Sequence, residues 1–294
     1  MADVNFAGLG IALATPFKQD LSIDYESLGN LIDHVIEGGC DYIVAMGTTG
    51  ETPTLSREEK QELTRYVKDT TARRVPLVIG IGGNNTNRVI NNLRERDLEG
   101  YSAILSVTPY YNKPTQEGLF QHFKAISEVS PLPIILYNVP ARTGVNLTAK
   151  TTLRLSQSEK IIGVKEASGD MVQIKEIIKE SPAGFQVISG NDGDTTEIMK
   201  MGGRGVISVL ANALPIHMKN LVELCMSSRW DKAEETQNNL SLLISHLFED
   251  GNPAGVKALL SKIGICENIL RLPLVPVCEN VERKLMKEFS KIKK

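Results

Sequence analysis

A lysine closing an apolar run is the residue whose position calls most clearly for chemistry. In Ile161-Ile162-Gly163-Val164-Lys165-Glu166-Ala167-Ser168, branched apolar residues lead straight into an ammonium group, and a helical pattern follows from Asp170. The run predicts a buried strand whose last inward position is Lys165. A buried charge is costly unless it is paired or deprotonated. Desolvation lowers a lysine pKa, and the neutral amine is the form that attacks carbonyls. Lys165 is therefore a candidate Schiff-base nucleophile. The competing reading of the same residue is a side chain that snorkels from the strand end into water.

The residues that would complete such chemistry also stand at the ends of apolar runs. Tyr137 is a candidate general acid–base for imine formation and later proton transfers. Thr48 and Thr49 offer hydroxyl and backbone donors to a substrate carboxylate. Arg142 could grip a second carboxylate in a bidentate fork. Each has an ordinary alternative: a core tyrosine, a turn or cap threonine, a surface arginine. Taken together they suit carbanion chemistry on a small oxo acid, in which an amine condenses with a ketone and the imine acidifies the neighbouring carbon.

These residues need a scaffold that gathers strand ends. Short apolar runs lie at 10–15, 42–46, 77–82, 103–107, 133–138, 161–165, 185–189 and 205–209, separated by helical patterns. Leu28, Leu31, Ile32, Val35 and Ile36 mark one buried helix face, ended by Gly38-Gly39. Ser56-x-x-Glu59 is a capping box that opens the next helix. Leu119, Phe120, Phe123 and Ile126 face one way on another. Eight strands that are apolar throughout rather than alternating predict a parallel sheet covered on its outside. The count favours a closed (β/α)8 TIM barrel over an open sheet. The remainder reads as helical throughout, with 230–248 and 254–263 the clearest segments. The predicted organisation is a catalytic barrel over 1–224 and a C-terminal α-helical domain over 225–294. In such barrels chemistry gathers at the C-terminal strand ends, where Thr48, Thr49, Tyr110, Tyr111, Tyr137, Asn138, Lys165 and Gly190-Asn191-Asp192 all fall.

Composition narrows the classes. The chain has 294 residues, 41% hydrophobic and 23% charged, with a net charge of −2, which lacks the footprint of a nucleic-acid binder. Lysines 284, 287, 291, 293 and 294 suit a solvated helix end. Cys40, Cys225, Cys266 and Cys278 show no metal-ligand spacing and fit reduced thiols. Met1-Ala2-Asp3-Val4-Asn5 lacks the features of a signal peptide, and no apolar stretch is long enough for a bilayer. A cytoplasmic protein is expected. Gly80-Ile81-Gly82-Gly83-Asn84-Asn85 begins like a dinucleotide fingerprint but carries Asn85 at the third glycine position. Gly202-Gly203-Arg204-Gly205 fits a phosphate site or a tight turn. His34, His122, His217 and His246 are scattered and suggest neither metal nor triad.

Five motifs together carry a family resemblance. They are Gly47-Thr48-Thr49-Gly50-Glu51, Thr108-Pro109-Tyr110-Tyr111-Asn112, Tyr137-Asn138-Val139-Pro140-Ala141-Arg142-Thr143-Gly144, Gly163-Val164-Lys165-Glu166-Ala167 and Gly205-Val206-Ile207-Ser208-Val209. The similarity continues through Gly251-Asn252-Pro253 and Arg271-Leu272-Pro273-Leu274. With these the chain resembles the pyruvate-dependent class I aldolase family that includes N-acetylneuraminate lyase. It is most similar to the branch that condenses pyruvate with L-aspartate-4-semialdehyde, an early step of diaminopimelate and lysine synthesis. The resemblance implies an imine of pyruvate on Lys165 and a proton relay of Tyr137, Thr48 and Tyr111, the last entering from a neighbouring subunit. It implies that Thr49 binds the pyruvate carboxylate and Arg142 the semialdehyde carboxylate. The backbone carbonyls of Gly190 and Ile207 would face the lysine and the bound substrate. Members are usually homotetramers, dimers of tight dimers, needing no metal or organic cofactor.

Many relatives are inhibited by lysine at a dimer-interface pocket built with an acidic residue and a histidine. Here Arg88 matches the first and Lys60 the second, while Asn84 and Tyr110 are retained. Two cations oppose an ammonium ligand, so lysine feedback is expected to be weak or absent. Two other functions remain open at this stage. One is a sister aldolase acting on sialic acid or a keto-deoxy sugar acid, against which Arg142 and the Thr48-Thr49 pair argue. The other is a non-catalytic, metabolite-binding barrel.

Overall fold

The computed structural model describes residues 5–292. Residues 1–4 of the N-terminal stretch, Lys293 and Lys294 lie outside the described residues. Eight parallel strands close into a barrel in sequence order. They are β1 (Gly8–Ala12), β2 (Tyr42–Ala45), β3 (Leu77–Gly80), β4 (Ala103–Val107), β5 (Ile134–Asn138), β6 (Ile161–Glu166), β7 (Gln186–Ser189) and β8 (Gly205–Ser208). Around the strands run α1 (Tyr25–Glu37), α2 (Arg57–Thr71), α3 (Thr86–Glu95), α4 (Gln116–Val129), α5 (Pro140–Thr143) and α6 (Ala149–Leu155). Then follow α7 (Met171–Glu180), α8 (Thr195–Lys200), α9 (Pro215–Met226), α10 (Trp230–Glu249), α11 (Ala254–Lys262) and α12 (Glu279–Ile292). The expected division at 224/225 falls within the last turn of α9.

The strands read as apolar runs because both of their faces are buried. One set of side chains, including Val44, Leu105, Ile135, Tyr137 and Ile207, fills the barrel interior. The other set packs outward against the helices. Closure joins β1 to β8, with Gly8 opposite Gly205. Only glycine serves at 205, where φ is +152° and a Cβ would lie 2.0 Å from the Gly8 carbonyl oxygen. The capping box at Ser56 is formed: its side chain accepts from the Glu59 N–H, and the Glu59 carboxylate accepts from the Ser56 N–H. That satisfies two of the orphan donors at the start of α2.

Two expectations are corrected. The first strand spans Gly8–Ala12 rather than 10–15, because the chain leaves the sheet early. Leu13 donates to the Val44 carbonyl, but Ala14 already donates to the Asn212 side chain and the Thr15 hydroxyl to the Gly50 carbonyl. The tail is not helical throughout either: residues 263–278 form no helix. Pro273 and Pro276 cannot donate backbone bonds there. The Arg271 guanidinium instead ties the segment to the carbonyls of Leu21 and Thr54 and to the Glu59 carboxylate. All four cysteines are free thiols, three of them buried. Lys284 and Lys291 on α12 pair with Glu249 and Glu288. No helix among the described residues is long and apolar enough to cross a membrane.

Candidate active site

Lys165 is the last residue but one of β6, in register with Tyr137 on β5 and Ile188 on β7. It is 4% exposed and Tyr137 is 7% exposed. The lysine Nζ lies 4.5 Å from the centroid of the tyrosine ring. Among the described residues Lys165 forms no salt bridge. The chain's other deeply buried lysine, Lys257, is paired with Glu51 at 2.5 Å. Lys165 does not snorkel away from the barrel; it ends in a cavity of about 310 Å³ at the C-terminal strand ends. That volume lies at the small end of ligand pockets and suits small metabolites.

Alternation along β6 sends the next side chain to the opposite face. The Glu166 carboxylate is buried among donors: Asn138 Nδ2 at 3.0 and 3.1 Å, the Ser168 N–H at 2.8 Å and Gln173 Nε2 at 3.2 Å. Burial pushes its carboxyl above the ordinary range, opposed by those hydrogen bonds. This network pins the ends of β5 and β6 to each other, so Tyr137 and Lys165 are held side by side. Asp192 does the same for the next pair of strands. Its Oδ2 accepts from the N–H groups of Val209 and Leu210 at 3.1 and 3.0 Å. Burial raises its pKa, and the positive charge of Lys165 is among the opposing influences.

Thr48 and Thr49 form a short 3-10 turn, Thr48–Gly50, directly after β2. Both line the cavity, as do Arg142 and Gly190. Arg142 lies in α5, a single turn whose C-cap is Gly144 at φ +70°, and its side chain is exposed. Ile207 sits deeper, in the filled interior of β8. Tyr111 is not brought to the cavity by its own chain: it is 85% exposed, with φ +73°. Tyr110 beside it is also exposed, and its carbonyl accepts from Asn84 Nδ2 at 3.2 Å. Near this surface the Lys60 ammonium is held below its ordinary range, first by burial and then by the charges of Arg96 and Arg88. Asn84, Arg88, Lys60 and Tyr110 thus fall into a hydrogen-bonded pair and a cationic pair.

Reasoning from residue types missed two contributors, Asn252 and Phe248, both from the C-terminal extension. The Asn252 amide donates to Thr49 Oγ1 at 3.0 Å. The available signal was Gly251-Asn252-Pro253, a turn motif that carries no chemical role without its partner. Among the described residues no group of three or more His, Cys, Asp or Glu side chains is arranged to hold a metal ion.

Known proteins match this chain over almost its whole length. A 4-hydroxy-tetrahydrodipicolinate synthase of Parabacteroides distasonis is 52% identical over 277 residues, covering 94% of this chain and 93% of its own. The crystal structure of dihydrodipicolinate synthase from Thermotoga maritima matches with a TM-score of 0.95 at 38% identity, covering 98% of this chain and 99% of that one. The chloride-inhibited enzyme of the same name from Acinetobacter baumannii, complexed with pyruvate, also matches with a TM-score of 0.95 at 38% identity, over 98% of this chain and 99% of its own. The model of the dihydrodipicolinate synthetase family matches residues 5–292, and the chain belongs to that family.

Proposed function

We infer that the cavity condenses pyruvate with L-aspartate-4-semialdehyde through an imine on Lys165. The activity is that of a 4-hydroxy-tetrahydrodipicolinate synthase, a lyase of the class I aldolase type in lysine biosynthesis. One observation carries the assignment of residues: a buried, unpaired lysine opens into the cavity with Tyr137 against it.

The Lys165 amine adds to the ketone carbon of pyruvate and water leaves, giving the imine. Loss of a methyl proton produces the enamine, whose carbon attacks the aldehyde of the semialdehyde and forms the new carbon–carbon bond. The aldehyde oxygen takes a proton. The amino group of the second substrate then adds to the imine carbon, closes a six-membered ring and releases Lys165. Tyr137, whose ring lies against the amine, carries the protons, relayed through Thr48 and through Tyr111 of a second copy. Thr49 holds the pyruvate carboxylate and Arg142 that of the semialdehyde. The carbonyls of Gly190 and Ile207 complete the wall around the imine. The iminium is itself the electron sink, so the chemistry needs no metal or organic cofactor.

The exposure of Tyr110 and Tyr111 supports assembly through this face into tight dimers, two of which form a homotetramer. Lys60 and Arg88, with Asn84 and Tyr110, make lysine feedback weak or absent. The site of action is the cytoplasm. Borohydride reduction in the presence of pyruvate tests the function: it should add the mass of one reduced pyruvate imine to Lys165. Absence of that adduct on Lys165 overturns the reading.

A further inference from the structure

The turn that carries Thr48 and Thr49 is gripped from a distant part of the chain. Glu51 closes it, with its carboxylate out of contact with solvent. Its Oε1 accepts from Lys257 Nζ at 2.5 Å, and its Oε2 accepts from the backbone N–H of Arg271 at 3.1 Å. Lys257 lies on α11 and is fully buried; its Nζ also donates to the Ile269 carbonyl at 2.7 Å. Asn252, in the turn before α11, donates to Thr49 Oγ1. The C-terminal extension therefore holds the turn at two points, Thr49 and Glu51.

Two features of this grip are poor devices for stability. A buried ion pair is often matched or bettered by apolar residues of similar volume, because desolvating both charges cancels their attraction. The Asn252 Oδ1 is buried with no hydrogen-bond partner, and an unmet buried acceptor costs free energy. Glu51 itself is held at φ +50°, a left-handed backbone that side-chain-bearing residues disfavour and that surroundings must enforce. What the arrangement does supply is direction. With the amide donating to Thr49 Oγ1, the hydroxyl hydrogen of Thr49 stays free to point at an anion in the cavity.

We propose that Glu51, Lys257 and Asn252 are positioning residues for the reaction, through which the C-terminal extension aims the Thr48–Thr49 turn at a carboxylate bound beside Lys165. The inference rests on the assignment of Thr49 to the pyruvate carboxylate. Two variants test it. Glu51→Gln/Lys257→Met removes both charges at nearly constant volume. Asn252→Ala releases the Thr49 hydroxyl without touching the ion pair, and it carries the test alone where the double variant does not fold.

In each folded variant the KM for pyruvate should rise about tenfold or more, with the KM for the semialdehyde within about twofold of the parent. The pyruvate concentration that half-saturates borohydride trapping should rise in parallel. Pyruvate KM and half-saturation both within about twofold of the parent, at whatever thermal stability, would make these residues structural and overturn the proposal. A parent protein that does not trap pyruvate on Lys165 overturns the function and this inference together. A parent that traps, with variants that trap equally well, overturns this inference alone.

Discussion

Lys165 and Tyr137 stand opposite each other on adjacent strands, with the amine 4.5 Å from the centre of the ring. The ring and the hydroxyl of Tyr137 act differently on that amine. The π face packs over the amine, while the phenol can carry protons to and from the imine. Tyr137→Phe separates them by keeping the ring. The expected result is a kcat lower by about 100- to 10,000-fold, the range for removal of a general acid–base. Borohydride should still label Lys165, more slowly, and thermal stability should hold. A kcat within about tenfold of the parent would remove Tyr137 from proton transfer.

Arg142 reaches the cavity from a four-residue helix and is exposed on its outer side. The proposed role of this guanidinium is to receive the carboxylate of the second substrate. Arg142→Ala should raise the KM for the semialdehyde about 10- to 100-fold, the loss expected for a hydrogen bond to a charged group. Pyruvate trapping on Lys165 should be unchanged. Steady-state kinetics varied in each substrate separates the two, and a rise confined to pyruvate would reassign the residue.

The barrel is legible in the sequence because parallel strands buried on both faces are written as uninterrupted apolar runs. The cluster of polar residues at their ends is legible because Lys165 and Tyr137 break the runs at paired strand positions and Thr48 follows in the turn after β2. The end of β1 is not, since the apolar run continues through Ala14 after Asn212 has taken over its backbone bond. The segment 263–278 misleads because Ile263, Ile265, Ile269 and Leu270 imitate helical spacing while Arg271 anchors the backbone elsewhere. Asn252 is invisible for another reason. Its partner Thr49 is 203 residues away, and no local pattern encodes that contact. Even for Lys165, local reasoning leaves nucleophile and snorkelling side chain unseparated; burial at the cavity beside the Tyr137 ring removes the snorkelling alternative.

His122 on α4 offers a pH test away from the chemistry. Its Nδ1 pairs with the Thr86 hydroxyl at 2.9 Å and its Nε2 is buried without a partner. Burial lowers its pKa from 6.5 to about 4. A folded-state pKa below the unfolded value means that the unfolded chain binds the proton more readily. The contribution is therefore complete above pH 6.5 and is lost as pH falls toward about 4. At about 1.4 kcal/mol per pKa unit, the loss is about 3 kcal/mol. The buried carboxyls Glu166 and Asp192, held above their ordinary range, titrate with the opposite sign in parent and variant alike. His122→Gln should thus show a shallower decline between neutral pH and pH 4 in denaturant unfolding. Equal slopes for the two proteins would refute the assignment.

Burial, then the charges of Arg96 and Arg88, hold the Lys60 ammonium below its ordinary range, and Asn84 bonds the Tyr110 carbonyl. An ammonium ligand entering there meets two like charges. Initial rates should be unchanged by millimolar L-lysine. Saturable inhibition at micromolar lysine would show that the pocket accepts the amino acid despite its charge.

Tyr111 gives the strongest test of assembly, because within its own chain it is 85% exposed and away from the cavity. A proton-relay residue in that position works only if it enters the cavity of a second copy. Lys165→Ala and Tyr111→Phe should each depress activity on their own. When the two variants are unfolded together and refolded as a mixture, some dimers pair one of each. In those dimers the chain that keeps Lys165 receives an intact Tyr111 from its neighbour, so one complete cavity is restored. The mixture should regain activity that neither variant shows alone, whereas each variant refolded by itself should not. No gain on mixing, with mixed dimers demonstrated by native mass spectrometry, would confine every catalytic group to a single chain.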